Sequence, residues 1–550
     1  MLNAIFSNYL ILLVVLGYSL FFKKIVFYEK KIDIENIDIL YGLSFLIFIS
    51  LFINFFFPLK YFTVIIITVG LLLFIYGVYR NFFKLNFILY FFIILFTTFV
   101  SFYNVHNVDS PMYHLQIIKW LSLHKISFGL SNLEIRLGFN SSWHSLVALL
   151  DLNIYEFTAK YYISAVVLSA AIYETIRYKI KLNYSDIFLY LSISFLIFFS
   201  YLHPFKNGVI LNHLGNPERD IISMVFFFLI IYLFLKVSEN TNNRNFINLL
   251  FLSLFLCLTS RILMLPMLIL LVFILIKNKN YRLVNLNTIF LSIVSIFWIL
   301  RTFILSGCFF FPFYQTCSKT SWAVSVEEVK FFVEEAMRIS RTLPSRNGVN
   351  DIDFTLNTYN WVNQWINDYF FSAALLQAGA LIIVITVCLL IILKFTKKIK
   401  LKDIFERSDV LILISLITTL LLWFNAPEIR YGLGPLISLP CYFIILLIKN
   451  LNLIEFLRNH NGKISLVMSM LCFLFFSKSF IYFQYSDLFI NKKNGFSYSH
   501  HIEKIGEFSD VDFYKSTIWQ CAEFKEICVN TVKENYQISN ILNYNVYKSK

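Results

Sequence analysis

Long apolar runs, separated by short polar segments, occupy most of this 550-residue chain. About fourteen runs are long enough to span or nearly span a bilayer, for which an α-helix needs roughly 20 apolar residues. Their approximate bounds are 4–22, 38–57, 62–79, 85–102, 159–176, 187–202, 220–236, 246–260, 262–277, 287–305, 371–393, 409–424, 433–448 and 464–483. The pattern predicts an all-α polytopic membrane protein. The first run has no obvious small-residue cleavage site, so we expect it to remain as a membrane helix.

Lysine and arginine in the connecting loops predict the topology. With the amino terminus outside, nearly every short basic loop lies on one side, as the positive-inside rule requires. These loops lie within 23–31, 80–84, 177–181, 277–282, 394–402 and 449–463. The assignment needs a tight hairpin at Ser260–Arg261, because one long helix there would invert everything downstream. The outer face then holds residues 103–158, 203–219, 306–370 and the tail from 484, so both termini are expected on the non-cytoplasmic side.

Composition excludes several classes of protein. Hydrophobic residues make up 58% of the chain, charged residues 15%, and the mean hydropathy is +0.69, so most of the chain is not a soluble globule. The basic residues behind the net charge of +14 lie in short loops, where the positive-inside rule accounts for them. No nucleic-acid partner is therefore expected. No Walker loop, dinucleotide fingerprint, His-Glu-x-x-His or Cys-x-x-Cys motif occurs.

Four of the eight cysteines lie outside the apolar runs, on the predicted outer side. Cys308 and Cys317 share one loop, and Cys521 and Cys528 share the tail. Two disulfides, Cys308–Cys317 and Cys521–Cys528, are compatible with an oxidising compartment, although spacing alone does not decide the pairing.

The polar stretch 107–120 places a carboxylate and an imidazole beside a predicted helix start. Pro111 suits the first helical position and Ser110 or Asp109 suits the cap, so a helix is expected from here to about His124. Asp109 would lie at the amino end, where the helix dipole favours its anionic form. Asp109 is therefore either a cap only or a catalytic carboxylate, with His114 following it on the same helix.

A second outer segment ends in residues 212–220, directly before a span. Ionised carboxylates at a membrane boundary cost free energy, so each is expected to be ion-paired or to have a functional role. In the structural interpretation, Glu218 and Asp220 lie at the amino end of the span and Arg219 is their partner. A metal site remains an alternative, with generic ligand types; its ligands would be Asp109, His114, His213, Glu218 and Asp220.

Arginines recur near the outer ends of the predicted spans, at Arg261, Arg301 and Arg430, the last beside Glu428. Guanidinium groups converging at one depth suit a lipid phosphate, because their fork of donors matches its oxygens. Singly, each is better explained as a snorkelling or ion-paired residue. The three arginines together indicate a phosphate site because they lie on the same predicted side of the membrane.

These motifs together resemble integral-membrane glycosyltransferases of the GT-C fold, in an uncharacterised bacterial branch. The resemblance rests on an acidic residue opening a long outer loop with two surface helices (109–114 and 142–144), on residues 306–312 after a span, and on residues 426–432. It extends over about 85–450. The corresponding domain prediction is additional N-terminal transmembrane helices at 1–84, a GT-C-like core at 85–483 with outer loops 103–158, 203–219 and 306–370, and an extracytoplasmic tail at 484–550.

The resemblance implies an inverting transfer of sugar from a polyprenyl-phosphate donor to a glycan, lipid or protein acceptor. The reaction would take place on the non-cytoplasmic face of the bacterial inner membrane, among membrane lipids. Asp109 would be the catalytic base, and we assign His114 as its orienting partner. Ser110 follows Asp109 where many relatives have a second acid, so a second acid and a divalent metal stay open. No cofactor is certain. The expected substrate-binding residues are Tyr113, Glu218, Arg219, Asp220, Arg261, Glu428 and Arg430.

Two other functions are compatible with a multi-span chain that has large outer loops. A polymerase or ligase of surface polysaccharide would depend on the arginines more than on Asp109. A transporter or flippase of lipid-linked glycans would need polar residues along a path through the spans, and these spans are too uniformly apolar to favour it.

Overall fold

A computed structural model describes the helical part of the chain and segments of its tail. The described residues are 2–27, 33–102, 109–152, 163–177, 182–202, 214–239, 243–277, 285–343, 345–371, 373–397, 405–460, parts of 462–474, and 502–508, 511–516, 527–529, 536–541 and 544–549. Over its described residues, each of the first thirteen predicted runs contains an α-helix. The fourteenth, 464–483, lies largely outside the described residues.

Within these ranges the chain forms eighteen α-helices. They are α1 (Leu2–Phe27), α2 (Ile39–Phe56), α3 (Thr63–Tyr79), α4 (Phe87–Phe102), α5 (Leu115–Leu123), α6 (Ser142–Leu150), α7 (Ile163–Ile176), α8 (Tyr184–Leu202), α9 (Asp220–Glu239), α10 (Arg244–Ser260), α11 (Leu268–Lys277), α12 (Leu286–Ser306), α13 (Val326–Thr342), α14 (Trp361–Trp365), α15 (Ala374–Lys397), α16 (Arg407–Trp423), α17 (Ile429–Asn450) and α18 (Ile454–Asn459).

Short helical turns join several of these helices. Some are 3-10 turns, which are tighter than an α-helix, and others are π-turns, which are wider. The 3-10 turns are Asn36–Asp38, Leu59–Tyr61, Leu130–Asn132, Ile135–Gly138, Ile262–Met267 and Tyr314–Thr316, and the π-turns are Ser110–His114, Asp353–Asn357 and Ile366–Phe370. The π-turn Ser110–His114 leads directly into α5. The residues predicted to open a helix therefore do so, with a wider first turn than an α-helix has.

The tail differs from an all-helical chain. It contains β1 (Ile502–Phe508), β2 (Val511–Ser516), β3 (Ile527–Val529), β4 (Tyr536–Ile541) and β5 (Tyr544–Ser549). β1 pairs antiparallel with β2, β2 pairs parallel with β3, and β4 and β5 form a separate antiparallel hairpin. No motif in the tail had indicated these strands.

Six described helices, α1, α2, α9, α12, α15 and α17, are long and apolar enough to cross a membrane. Others of at least ten residues are apolar but shorter, including α3, α4 and α10. On α3 and α15 large apolar side chains point outward, such as Leu72 and Leu381, each 60% exposed. The chain is thus a helical membrane protein whose outer faces are apolar.

Helix α9 lies at the centre of the core. Nearly all of its residues are buried, and it packs against α7, α8, α10 and α17. One continuous hydrophobic cluster runs from α1 through α17, so the first three helices share a core with the rest. Helices α1 and α3 approach closely at Gly17, where a Cβ atom would lie 2.0 Å from the Gly70 carbonyl oxygen. Small residues permit this packing.

Three local features lie on the way to the candidate site, and the sequence predicts the first and the third. Helix α10 ends at Ser260, and Arg261 has an extended backbone (φ −150°) before the next turn, so the run is interrupted where the predicted topology required it. Ser325 caps α13, its hydroxyl accepting a hydrogen bond from the Glu328 amide. Cys308 and Cys317 form a disulfide. The second cysteine pair of the prediction is not among residues whose side chains are described.

Candidate active site

A cavity of about 400 Å³ lies where the loops that contain residues 109–114 and 136–140 meet the ends of several long helices. Its walls come from the 109–114 turn, residues 136–140, the start of α9, the break after α10, α12, α13 and residues 422–431. Its volume falls in the range of small-molecule sites. The charged side chains that line it are Asp109, Asp220, Glu335 and Glu428, with Arg136, Arg219, Arg261 and Arg430.

On one wall, Arg430 joins two carboxylates. Its Nη1 atom lies 2.6 Å from Oδ2 of Asp109, and its Nε atom pairs with Glu428. Burial raises the pKa of Glu428, and Arg430 opposes that rise. Asp109 precedes the π-turn but makes no side-chain capping hydrogen bond there. Its carboxylate is turned to Arg430 in the first turn of α17.

A second ion pair joins Arg261 to Asp220 at the start of α9. The extended backbone at the end of α10 places this guanidinium over the Tyr431 ring, 4.5 Å from its centroid. Arg430 lies 5.0 Å from the same centroid. The ring of Tyr431 therefore connects the two ion pairs. The Nη1 atom of Arg261 is buried and has no hydrogen bond to a described group.

The other two arginines contact aromatic rings, and neither forms an ion pair with a described carboxylate. Arg219 lies 4.6 Å from the Phe139 ring centroid and Arg136 lies 5.7 Å from that of Tyr113. Burial and the neighbouring charge of Arg261 lower the pKa of Arg219. Because Arg219 and Arg261 repel each other, an anion bound between them would relieve that repulsion.

Behind the Asp109 turn, two buried histidines are in contact. Nδ1 of His114 lies 3.0 Å from Nε2 of His144 on α6. His114 borders the cavity, whereas His144 is fully buried. Burial lowers the pKa of both rings, that of His144 to about 3. At neutral pH this part of the wall is uncharged.

The remaining walls are mostly apolar, apart from polar side chains such as Asn140 and Glu335. The Trp298 indole donates to the Asn140 carbonyl, and the Asn140 amide donates back to the Trp298 carbonyl, at 2.7 and 2.8 Å. Phe311 and Pro312 line the cavity within the loop that the Cys308–Cys317 disulfide closes. Phe332 on α13 packs against Phe311. A polar ligand group in this cavity would have apolar surface on the opposite side.

The structure brings together most of the residues singled out from the sequence. Asp109, Tyr113, His114, Arg219, Asp220, Arg261, Glu428 and Arg430 all line the cavity. Glu218 does not: it is buried behind the wall and accepts a hydrogen bond from the Ser110 hydroxyl. Arg301 lies elsewhere, donating to the Asn54 amide oxygen. His213 is outside the described residues.

Among the described side chains, no group of three or more His, Cys, Asp or Glu is arranged to hold a metal ion. The carboxylates of Asp109 and Asp220 are instead engaged by Arg430 and Arg261. The metal site left open by the sequence therefore receives no support from the described residues.

Sequence reasoning missed several residues of this cavity. Arg136 and Phe139 lie between the two predicted surface helices, where the sequence indicates no site residue, and Glu335 lies on the amphipathic helix α13. The signal for Arg136 was available, because it is a basic residue on the predicted outer side. Tyr431 had no such signal, since its role depends on two arginines from different helices.

Comparison with known proteins gives a family and no activity. No curated protein and no solved structure matches the chain. A family model described as a domain of unknown function (DUF8201) matches residues 1–437, well over half of the chain. The chain therefore belongs to the DUF8201 family.

Proposed function

We propose that this protein is a membrane glycosyltransferase that moves a sugar from a polyprenyl-phosphate donor to a glycan, lipid or protein acceptor beyond the cytoplasmic face. The observation that carries the proposal is the composition of the cavity. It places the Asp109 carboxylate and the neutral His114 imidazole in one cavity with Arg136 and Arg219. These two arginines contact aromatic rings and have no described acid partner. Such a site suits a substrate that has both a hydroxyl to activate and an anion to hold.

The arginine side of the cavity is the proposed phosphate site. Arg219 and the buried, unsatisfied Nη1 atom of Arg261 supply donors to one group of oxygens. Charge-assisted hydrogen bonds from guanidinium to phosphate are short and strong. In the transfer step they stabilise the negative charge that develops on the departing phosphate.

A second pocket supports a lipid-linked substrate. It has a volume of about 370 Å³, lies between α15, α16 and α17, and is bordered almost entirely by apolar side chains. Trp423 lines both this pocket and the arginine cavity. Leu421, on the lipid-facing side of the pocket, is 65% exposed. A hydrocarbon chain here would lie beside a phosphate in the cavity.

Asp109 is the proposed base. The acceptor hydroxyl gives its proton to the Asp109 carboxylate as its oxygen forms a bond to the anomeric carbon of the sugar. The bond from that carbon to the phosphate oxygen breaks, and the phosphate leaves with the electron pair. Arg430 holds Oδ2 of Asp109 and so fixes the direction of the carboxylate.

The test compares Asp109→Asn with Asp353→Asn, which changes an exposed carboxylate of another outer loop. Both variants are checked for normal amounts in the membrane, and surface glycans are compared with those of the unmodified strain. We expect loss or truncation of a glycan for Asp109→Asn only, because asparagine keeps the size but accepts no proton. An unchanged glycan would overturn Asp109 as base and favour a polymerase or ligase that relies on the arginines.

A further inference from the structure

The loop 308–317, which a disulfide between its end residues closes, has two different faces. On one face Phe311 is 7% exposed and packs in a small hydrophobic cluster at the wall of the cavity. On the other face the side chains of Phe309, Phe310 and Phe313 are 44%, 36% and 47% exposed. The loop has no charged side chain. Its second face is therefore an exposed apolar patch, and such patches mark contact surfaces.

This exposed face continues an apolar surface of α12, a helix long and apolar enough to cross a membrane. Four exposed apolar side chains at spacings of three or four residues form one stripe along that helix, namely Ile289, Ile293, Ile296 and Leu300. The next position of the stripe is Phe303, whose ring stacks on that of Phe309 with the centroids 4.8 Å apart. The outward face of the loop thus extends a surface that faces lipid in the membrane.

The loop backbone meets the requirement for contact with lipid, which offers no hydrogen-bond partners to an N–H group. The amides of Phe309 and Phe310 donate to the carbonyl and the hydroxyl oxygen of Thr316, each at 3.1 Å. The Phe313 amide donates to the Phe310 carbonyl at 2.7 Å. Each exposed phenylalanine therefore has its amide paired inside the loop, and its side chain can leave water without cost to the backbone.

Side chains typical of the membrane interface lie beside this face. Trp322 packs edge-on against Phe303, their ring centroids 5.8 Å apart, and tryptophan is enriched where acyl chains meet headgroups. Lys319, shortly after the loop, is exposed. Its ammonium group can reach a lipid phosphate while its methylene stem lies along apolar surface.

We propose that the loop 308–317 is an interfacial anchor, whose outward phenylalanines insert at the boundary between headgroups and acyl chains in the leaflet at the carboxyl end of α12. Phe311 and Pro312 line the cavity from the same loop, so the anchor holds the cavity at the depth of the lipid headgroups. The use of that depth to receive a lipid-linked phosphate rests on the proposed function. The placement of the loop does not, because it follows from the exposed face and its continuity with α12.

Fluorescence quenching of the full-length protein in phosphatidylcholine nanodiscs tests the anchor. Phe313→Trp places an indole on the outward face, and the control Tyr359→Trp places one at a position that is 82% exposed in another loop. Each signal is measured as the difference from the wild type, which has eight tryptophans. We expect lipid brominated near the headgroup end of its acyl chains to quench the indole at position 313, and aqueous iodide to leave it unquenched. At position 359 we expect the reverse.

Two results would overturn the anchor. Quenching by iodide at position 313 as strong as at position 359 would mean that the loop lies in water. Protection of position 313 from both quenchers would mean that protein, such as a second copy of the chain, covers this face. Phe310→Trp repeats the measurement at a neighbouring outward position and should agree. Since the glycan phenotype of Asp109→Asn is measured separately, the anchor and the proposed function can fail independently.

Discussion

Oδ2 of Asp109 lies 2.6 Å from Nη1 of Arg430, joining the turn before α5 to the first turn of α17. Both side chains are mostly buried, with 23% and 16% exposed. The same guanidinium pairs with Glu428. Arg430 is thus the bridge between two carboxylates that would otherwise repel each other.

The first prediction concerns this bridge. Arg430→Gln leaves Asp109 and Glu428 partly buried without their common cation, and breaking a buried pair costs about 3–5 kcal/mol. Adding Asp109→Asn to Arg430→Gln removes one of the two carboxylates, so the double variant is expected to lose less stability than the sum of the singles, by about 1–3 kcal/mol. Denaturant unfolding of the four detergent-purified proteins measures this coupling. Strict additivity would show that the contact contributes nothing.

The second prediction separates the two arginines of the proposed phosphate site. Arg261→Gln removes the guanidinium that forms an ion pair with buried Asp220, so stability is expected to fall by several kcal/mol, on the order of 3–5. Arg219 contacts Phe139 and no described carboxylate, so Arg219→Gln is expected to cost about 1 kcal/mol or less.

Binding of farnesyl phosphate provides the matching readout. Arg219→Gln should weaken it at least about tenfold, the loss of one charge-assisted hydrogen bond of roughly 1.5 kcal/mol. Lys330→Gln, which removes a cation from the exposed Lys330–Glu334 pair, serves as the control. If Arg219→Gln binds as tightly as the control variant, Arg219 is not a phosphate ligand.

Much of the helical layout follows from local patterns, which is why it could be predicted. Apolar length predicts each long helix, and the cap at Ser325 is a short-range hydrogen bond. The helix start at Asp109 was also predictable from Pro111, but the use of its carboxylate was not. A capping role depends on neighbours within three residues, whereas the observed partner, Arg430, is brought there by the packing of α17.

The same reason accounts for what the sequence left open in the site. The Tyr431 ring lies between Arg261 and Arg430 because the break after α10 meets the start of α17. The His114–His144 contact needs α5 and α6 to pack side by side. Neither relation has a fixed sequence spacing, so neither could be inferred without the fold.

The third prediction fills the apolar pocket. Gly379 borders it, and a Cβ atom there would meet only Pro440 and the Leu436 carbonyl at ordinary contact distances, 3.7 and 3.9 Å. Gly379→Leu should therefore fold and occupy the pocket with its side chain. We expect it to weaken binding of farnesyl phosphate and leave binding of inorganic phosphate unchanged.

The control for this variant is Leu381→Phe, which adds volume on the lipid-facing side of the same helix. Trp365 and Trp423 line the pocket, so quenching of tryptophan fluorescence by a brominated alkyl phosphate reports occupancy. Equal quenching in Gly379→Leu and Leu381→Phe would mean that the alkyl chain of the phosphate binds outside this pocket.

The fourth prediction uses the disulfide between Cys308 and Cys317. In intact cells these two cysteines should resist thiol reagents until a membrane-impermeant reductant is added, which would place their loop on the oxidising side. Replacing both by serine should lower stability by about 2–3 kcal/mol, because the bridge closes a short loop. Cys388, an exposed free thiol on α15, is replaced first so that it does not contribute to labelling. Labelling without reductant would contradict the predicted sidedness.

The fifth prediction is a pH dependence of stability that arises at His144. Its folded-state pKa, about 3, lies below the ordinary value of 6.5, so between these values the unfolded chain binds more protons. Stability is therefore present at neutral pH and lost as the pH falls below about 6.5, by up to about 1.4 kcal/mol per pH unit for each such histidine.

Glu428, with its raised pKa, acts in the opposite direction, so the comparison has to be made against a variant. His144→Gln removes one titration and should lose less stability than the wild type between pH 6.5 and pH 5.5, by about 1 kcal/mol. His460→Gln, at the end of α18 where its ring contacts Phe456, is the control and should follow the wild type. Parallel curves for His144→Gln and the wild type would mean that His144 titrates alike in the folded and the unfolded chain, which would contradict the lowered pKa.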